Sequence, residues 1–111
     1  MKKIIALVLA AVLVLGMASA VTAKAEEKTY TVGICQLAQH EALDAATQGF
    51  MDALNEALPG QVKFENKNAS GDSANCSTIV NGFVSEGVDL IMANATGALT
   101  AAAAATSDIP I

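Results

Sequence analysis

Segments that alternate every second residue follow segments with a helical repeat of about 3.6 along most of this chain, and that rhythm restricts it to an α/β sheet. Tyr30 to Cys35 (YTVGIC) is a β-branched, mostly apolar run of strand length. Glu41 to Leu58 then reads as an amphipathic helix, with Leu43, Ala46, Phe50, Leu54 and Leu58 on one stripe and Asp44, Asp52 and Glu56 off it. Pro59-Gly60 stops that helix. Gln61 to Asn66 (QVKFEN) alternates as a strand with one covered face, or an edge strand, does. Asn68 to Asp72 is loop chemistry. Ser70 or Asp72 caps a second helix whose stripe is Cys76, Ile79, Val80, Phe83 and Val84 and which Gly87 ends. Val88 to Ala93 (VDLIMA) is apolar enough for a strand buried on both faces. After Asn94-Ala95-Thr96 an alanine-rich helix runs through Ala105, and Asp108 to Ile111 reads as the start of a fourth strand. The expected fold is α/β, a parallel sheet with helices on both faces, its strands joined by crossover helices.

The first residues follow a different logic. Lys2 and Lys3 precede Ile4 to Leu15, which contains no polar residue, and small residues follow. That order is an export signal. Ala18-Ser19-Ala20 and Ala23-Lys24-Ala25 both suit a signal peptidase, as does Val21-Thr22-Ala23, and we place the signal at residues 1–25 and the folded part at 26–111. An uncleaved membrane anchor is the competing reading, since about 20 apolar residues can span a bilayer. Met17 stands where a lipobox would need Cys after Leu15-Gly16, so lipid attachment there is excluded and the expected location is the periplasm or the cell surface. A chain of 111 residues holds one domain or part of one, and an end inside an expected strand at Ile111 suggests part of a longer exported protein. Residues 26–111 keep Lys28, Lys63 and Lys67 against all 11 acidic residues, with no arginine. A nucleic-acid partner is thereby disfavoured, because phosphate binding needs clustered cations.

Ligands of open parallel sheets bind beyond the carboxyl ends of the strands, so three loops are candidates: Gln36 to Glu41, Asn68 to Asn75, and Asn94 to Thr96. None has the glycine spacing of a dinucleotide fingerprint or a P-loop, and no cofactor is expected. The loops offer hydrogen-bonding groups at helix starts, a setting for a small ligand with a carboxylate or several hydroxyls. Asn94 and Thr96 could hold an anionic group, or one of them could cap the third helix. Gln36 and Gln39 precede the first helix. His40 has no second histidine or neighbouring cysteine at metal-ligand spacing and reads as a solvated residue at the helix start. Asp72, with Ser70 and Ser73, reads first as a cap for the second helix. Cys35 and Cys76 would lie near the same end of the sheet, where a disulfide and a pair of small buried hydrophobes are both open. An exported thiol enzyme, with Cys35 as nucleophile and His40 as base, is a rival reading that lacks a third, orienting residue.

Three stretches together, Tyr30 to Phe50 (YTVGICQLAQHEALDAATQGF), Asn68 to Asn75 (NASGDSAN) and Val88 to Thr96 (VDLIMANAT), resemble substrate-binding proteins of ABC transporters. More narrowly, they resemble the type I periplasmic-binding branch that takes tryptophan, tyrosine or similar amino acids. The resemblance implies a two-lobed receptor whose lobes close on a ligand by hinge motion and dock on a membrane permease, with no chemistry of its own. This chain would then be the first half of the N-terminal lobe. Carried over by position, the ligand contacts fall on Gln36, Gln39, His40, Glu41, Asn94, Ala95 and Thr96, with Asp72 and Ser73 as lesser candidates. A sensor lobe that is not coupled to transport would look the same in sequence.

Overall fold

The computed structural model describes residues 28–111, so the signal read at residues 1–25 and its cleavage sites lie outside the described residues. Three strands alternate with three helices: β1 (Tyr30–Gln36), α1 (Glu41–Ala57), β2 (Val62–Asn68), α2 (Ser73–Glu86), β3 (Leu90–Asn94) and α3 (Thr96–Ala105). All strand pairs are parallel, in the order β2-β1-β3. β1 is the shared centre, with Gln36 level with Asn68 on one side and with Asn94 on the other. The chain therefore leaves β1 towards one edge and later returns past it to the other, which puts a switch point between the carboxyl ends of β1 and β3.

Alternation along β1 assigns the two faces. Gly33 and Cys35 look towards α2 and α3. There a continuous buried cluster joins Cys35, Cys76, Val80, Phe83, Ile91, Ala98 and Ala102. Phe83 comes so close to β1 that a Cβ on Gly33 would lie 2.6 Å from its ring. Val32, Ile34 and Gln36 look towards α1 instead. That helix is less covered: Leu43, Phe50, Leu54 and Leu58 are half-buried, and only Thr47 is fully buried. Phe50 meets Phe64 edge to face at 6.5 Å between centroids. Ala46, which the stripe was expected to include, is exposed. The true stripe passes one residue further on, through Thr47.

The helix ends follow local chemistry. His40 Nδ1 accepts the Ala42 N–H at 3.1 Å, and an Asp72 carboxylate oxygen accepts the Ala74 N–H at 2.8 Å. Gly87 closes α2 at φ 69°, a left-handed conformation in which its N–H reaches the carbonyls of Phe83 and Val84. Val88 donates to the Phe83 carbonyl, so β3 starts at Leu90 rather than Val88. β3 is an edge of the described sheet, with Leu90, Met92 and Ala93 half-buried, so it is not covered on both faces as its apolar run suggested. The expected fourth strand is not formed. Asp108 to Ile111 lies against β3 through one bond, Ile91 N–H to the Pro110 carbonyl at 2.9 Å, and a single bond does not make a ladder.

On the outer strand β2, Glu65 Oε2 is buried without a hydrogen-bond partner, and Lys63 Nζ stands 4.0 Å from the other carboxylate oxygen. A hydrogen bond with Glu65 raises the Glu86 carboxyl above its usual range, helped by desolvation and the Glu65 charge and opposed by Lys63 and Lys67. A proton on Glu86 supplies the donor that Glu65 lacks. A carboxyl raised in the folded state stabilises below its unfolded pKa, and the benefit is lost as pH rises through the folded value. Glu86→Gln, which donates at every pH, is expected to flatten the drop in urea midpoint between about pH 4, near the ordinary carboxylate value, and about pH 8, well above it. An unchanged drop would dismiss the pair.

The Gly33–Phe83 approach gives a second expectation. Gly33→Ala overpacks the contact and is expected to cost about 1–3 kcal/mol in denaturant unfolding. Phe83→Ala leaves a cavity and is expected to cost about 3–5 kcal/mol. Combining them should cost clearly less than the sum, because the second change makes room for the first.

Candidate functional site

Every residue singled out in the three loops lies at the carboxyl edge of the sheet. The loops are tied to one another through the residue that follows β1. Leu37 N–H donates to the Asn94 carbonyl at 3.1 Å, and the Leu37 carbonyl accepts the Gly71 N–H at 2.7 Å. The Ala69 N–H reaches the Gln36 carbonyl at 2.9 Å. A Cβ on Gly97 would meet Leu37 at 3.2 Å and Ser73 Oγ at 3.8 Å, so the starts of α2 and α3 come together beside the same loop.

The polar side chains at this edge divide into two groups. Gln36 and Asn94, which end β1 and β3, are buried at 4% and 7% exposure. Both turn towards α1. Thr47 Oγ1 donates to Gln36 Oε1 at 2.7 Å and accepts from Asn94 Nδ2 at 2.9 Å. Asn94 Nδ2 also donates to the Leu43 carbonyl at 2.9 Å. Gln36 Nε2 donates to Asp44 Oδ1 at 2.6 Å and to the Ala38 carbonyl at 2.8 Å. The side-chain donors of both amides are therefore engaged within the chain. Neither caps α3.

The exposed group comprises Gln39, His40, Glu41, Asp72, Ser73 and Thr96, with Ala95 half-buried. His40 and Asp72 hold the helix caps described above. Thr96 opens α3, which has no side-chain cap, so the backbone N–H groups of its first turn lack a capping side chain. Ala95 precedes it at φ 89°, ψ 160°, a region that residues with a Cβ rarely enter. The geometry explains why: Asn94 must face α1 while α3 packs on the opposite face, and the chain crosses the sheet edge in one residue. Beside this start, a hollow of about 340 Å³ runs between α2 and α3, lined by Ser73, Ser77, Gly97 and Thr100. Ser77 and Thr100 hydroxyls donate back to their own helices, at 3.4 Å to Ser73 and 3.0 Å to Thr96. A more apolar hollow of about 310 Å³, walled by Tyr30, Val32, Leu54 and Leu58, lies at the amino edge, away from all of these groups.

The thiol-enzyme arrangement does not exist here. Cys35 is fully buried, and burial together with the adjacent Cys76 thiol pushes it up to about 12. His40 is exposed and its Nδ1 is taken by Ala42. An activated nucleophile needs a lowered pKa and a base within reach.

Thr47 was missing from the sequence reading. Its signal was a hydroxyl four residues after Leu43 and three before Phe50, in register with the apolar stripe. Thr47→Val keeps the shape but leaves Gln36 Oε1 without its donor, and is expected to cost about 1–3 kcal/mol of stability. Thr47→Ser keeps the hydroxyl and should cost less in the same chemical denaturation; equal losses would mean that the methyl, not the bond, matters.

Comparison with known proteins places this architecture. The model of the family described as ABC transporter substrate binding protein matches residues 31–111. A tyrosine-binding protein of Clostridioides difficile is 36% identical, over 99% of this chain and 36% of its own length. The ligand-free, open structure of a substrate-binding protein with adhesive properties from Clostridium difficile superposes at TM-score 0.72 and 37% identity, covering 75% of this chain and 29% of that one. A Streptococcus ABC domain in complex with L-Trp gives 0.71 at 33% identity, over 75% and 29% of the two chains. The chain thus spans about a third of the length of the curated relative it matches. With three parallel strands, helices on both faces and a match across the described domain, the chain belongs to the ABC transporter substrate-binding protein family.

Proposed function

We propose that this chain forms the first-lobe wall of an extracytoplasmic receptor that captures an aromatic amino acid and delivers it to an ABC permease. The observation that carries the reading is the start of α3. Backbone N–H groups without a side-chain cap stand at the switch point of the sheet, behind a strained Ala95, with the Thr96 hydroxyl exposed beside them. A helix start of this kind receives a carboxylate through its N–H groups and its dipole. Strained backbone is found preferentially where a ligand is held. The relatives support the chemical class: one is a tyrosine-binding protein and another holds L-Trp.

In this reading the ligand carboxylate meets Thr96 and the N–H groups that follow Ala95. Gln39, His40 and Glu41, at the start of α1, and Asp72 and Ser73, at the start of α2, form the flanking rim. Gln36 and Asn94 contribute by fixing the floor through Thr47 rather than by presenting free amides. The second lobe of the whole protein supplies the opposite wall, and closure of the two lobes creates the shape that a permease recognises.

The test is thermal and calorimetric titration of the full-length protein with tyrosine, tryptophan, phenylalanine and non-aromatic amino acids. Aromatic ligands are expected to stabilise it, by about 2.7 kcal/mol at a hundredfold excess over Kd. Thr96→Val removes one hydrogen bond to a charged group and should weaken binding by about 1.5–3 kcal/mol with little change in the stability of the free protein. No response to any amino acid would reject the ligand class, and an unaltered Kd in the variant would remove Thr96 from the site.

A further inference from the structure

The two cysteines take no part in the site described above, yet the fold brings them together. Cys35 is next to last in β1, and alternation points it at the α2 face. Cys76 lies in the first turn of α2, its N–H on the Asp72 carbonyl at 3.1 Å. Both are fully buried in one continuous cluster, as free thiols, with Cys76 close enough to help raise the Cys35 thiol. They are the two cysteines of residues 1–111.

We propose that Cys35 and Cys76 form a disulfide in the exported protein, a covalent staple between the carboxyl end of β1 and the first turn of α2. The proposal rests on the extracytoplasmic location of this family's proteins, where oxidising conditions let disulfides persist. The step is an exchange with a protein or small-molecule disulfide. One cysteine attacks that disulfide, the second displaces the mixed intermediate, and an S–S bond forms while the donor leaves as two thiols carrying the two protons and two electrons. Timing follows from burial. In the folded reduced protein Cys35 has no solvent access, and its pKa of about 12 leaves almost no thiolate to attack. The bond therefore forms while the chain folds, before α2 closes over β1.

The closed loop runs from Cys35 to Cys76 and encloses α1 and β2. Constraining it reduces the freedom of the unfolded chain. It also fixes β1 at the residue before Gln36, so the floor of the proposed site is held covalently on one face and by hydrogen bonds on the other.

The experiment takes full-length protein from cells that export it, denatures it without reductant and treats it with iodoacetamide. Neither cysteine should react, the intact mass should be two hydrogens below that of the reduced protein, and digestion should yield one peptide joining Cys35 to Cys76. Reductant should lower the thermal midpoint of this protein and leave that of a Cys35→Ala/Cys76→Ala variant unchanged. Alkylation of both cysteines in the unreduced exported protein would overturn the proposal whether or not the variant folds. Protein made reduced in the cytoplasm supplies the timing: oxidised glutathione should close the bond at least tenfold faster during refolding than in the folded state. Equal rates would overturn closure before burial.

Discussion

The hydroxyl of Thr47 joins two strand ends to each other through a single side chain of α1. It donates to Gln36 at the end of β1 and accepts from Asn94 at the end of β3. The helix it belongs to is half-exposed along its apolar stripe, so apolar area alone holds α1 weakly on its face. Directional bonds compensate. Five side-chain hydrogen bonds engage the two amides, and the four that end on α1 would break if the helix turned or slid. The opposite face works differently. There Phe83 is pressed against Gly33, and Val80, Ile91 and two alanines of α3 fill the space, so volume rather than direction sets the fit.

This division explains what could be read from the residues. Strand and helix types were legible because β-branched runs and spaced apolar residues report burial, and Asp72 and Gly87 report helix ends through local chemistry. The α1 stripe was displaced by one position because Ala46 and Thr47 both fit a helical repeat and hydropathy favours the alanine. A threonine makes a poor apolar residue and a good hydrogen-bond bridge, and the second property becomes visible only when Gln36 and Asn94 are known to face it. Those two residues illustrate the same limit. Sequence shows that an amide ends a strand at the carboxyl edge of the sheet, but the parity that turns it towards α1 comes from the register of β1 with β3.

Ala95 was illegible for another reason. Glycine or asparagine announces a positive φ, whereas alanine announces nothing, and its conformation is imposed by what lies on either side. Asn94 is committed to one face by Thr47 and Leu43, and Ala98 and Ala102 are committed to the other by the core. The strain is thus the product of two well-determined faces meeting at a single residue. Neither face could relax to relieve it without losing buried contacts or hydrogen bonds of comparable worth.

A consequence follows for how such a lobe would hold a ligand. Most of the side-chain donors at the centre of the carboxyl edge are spent inside the protein, so the groups left facing outward there are the backbone of the first α3 turn and short hydroxyls. Backbone donors fixed by two packed faces lose little freedom when a ligand arrives, which favours affinity by pre-organisation rather than by adaptation. In the receptor proposed above, selectivity for the rest of the ligand then comes from groups around that anchor: the exposed rim at the starts of α1 and α2, and the facing lobe. Bending this unit would break the Thr47 bridge and the Gly33–Phe83 contact at once, so in the receptor proposed above the hinge closure falls between lobes rather than within this one.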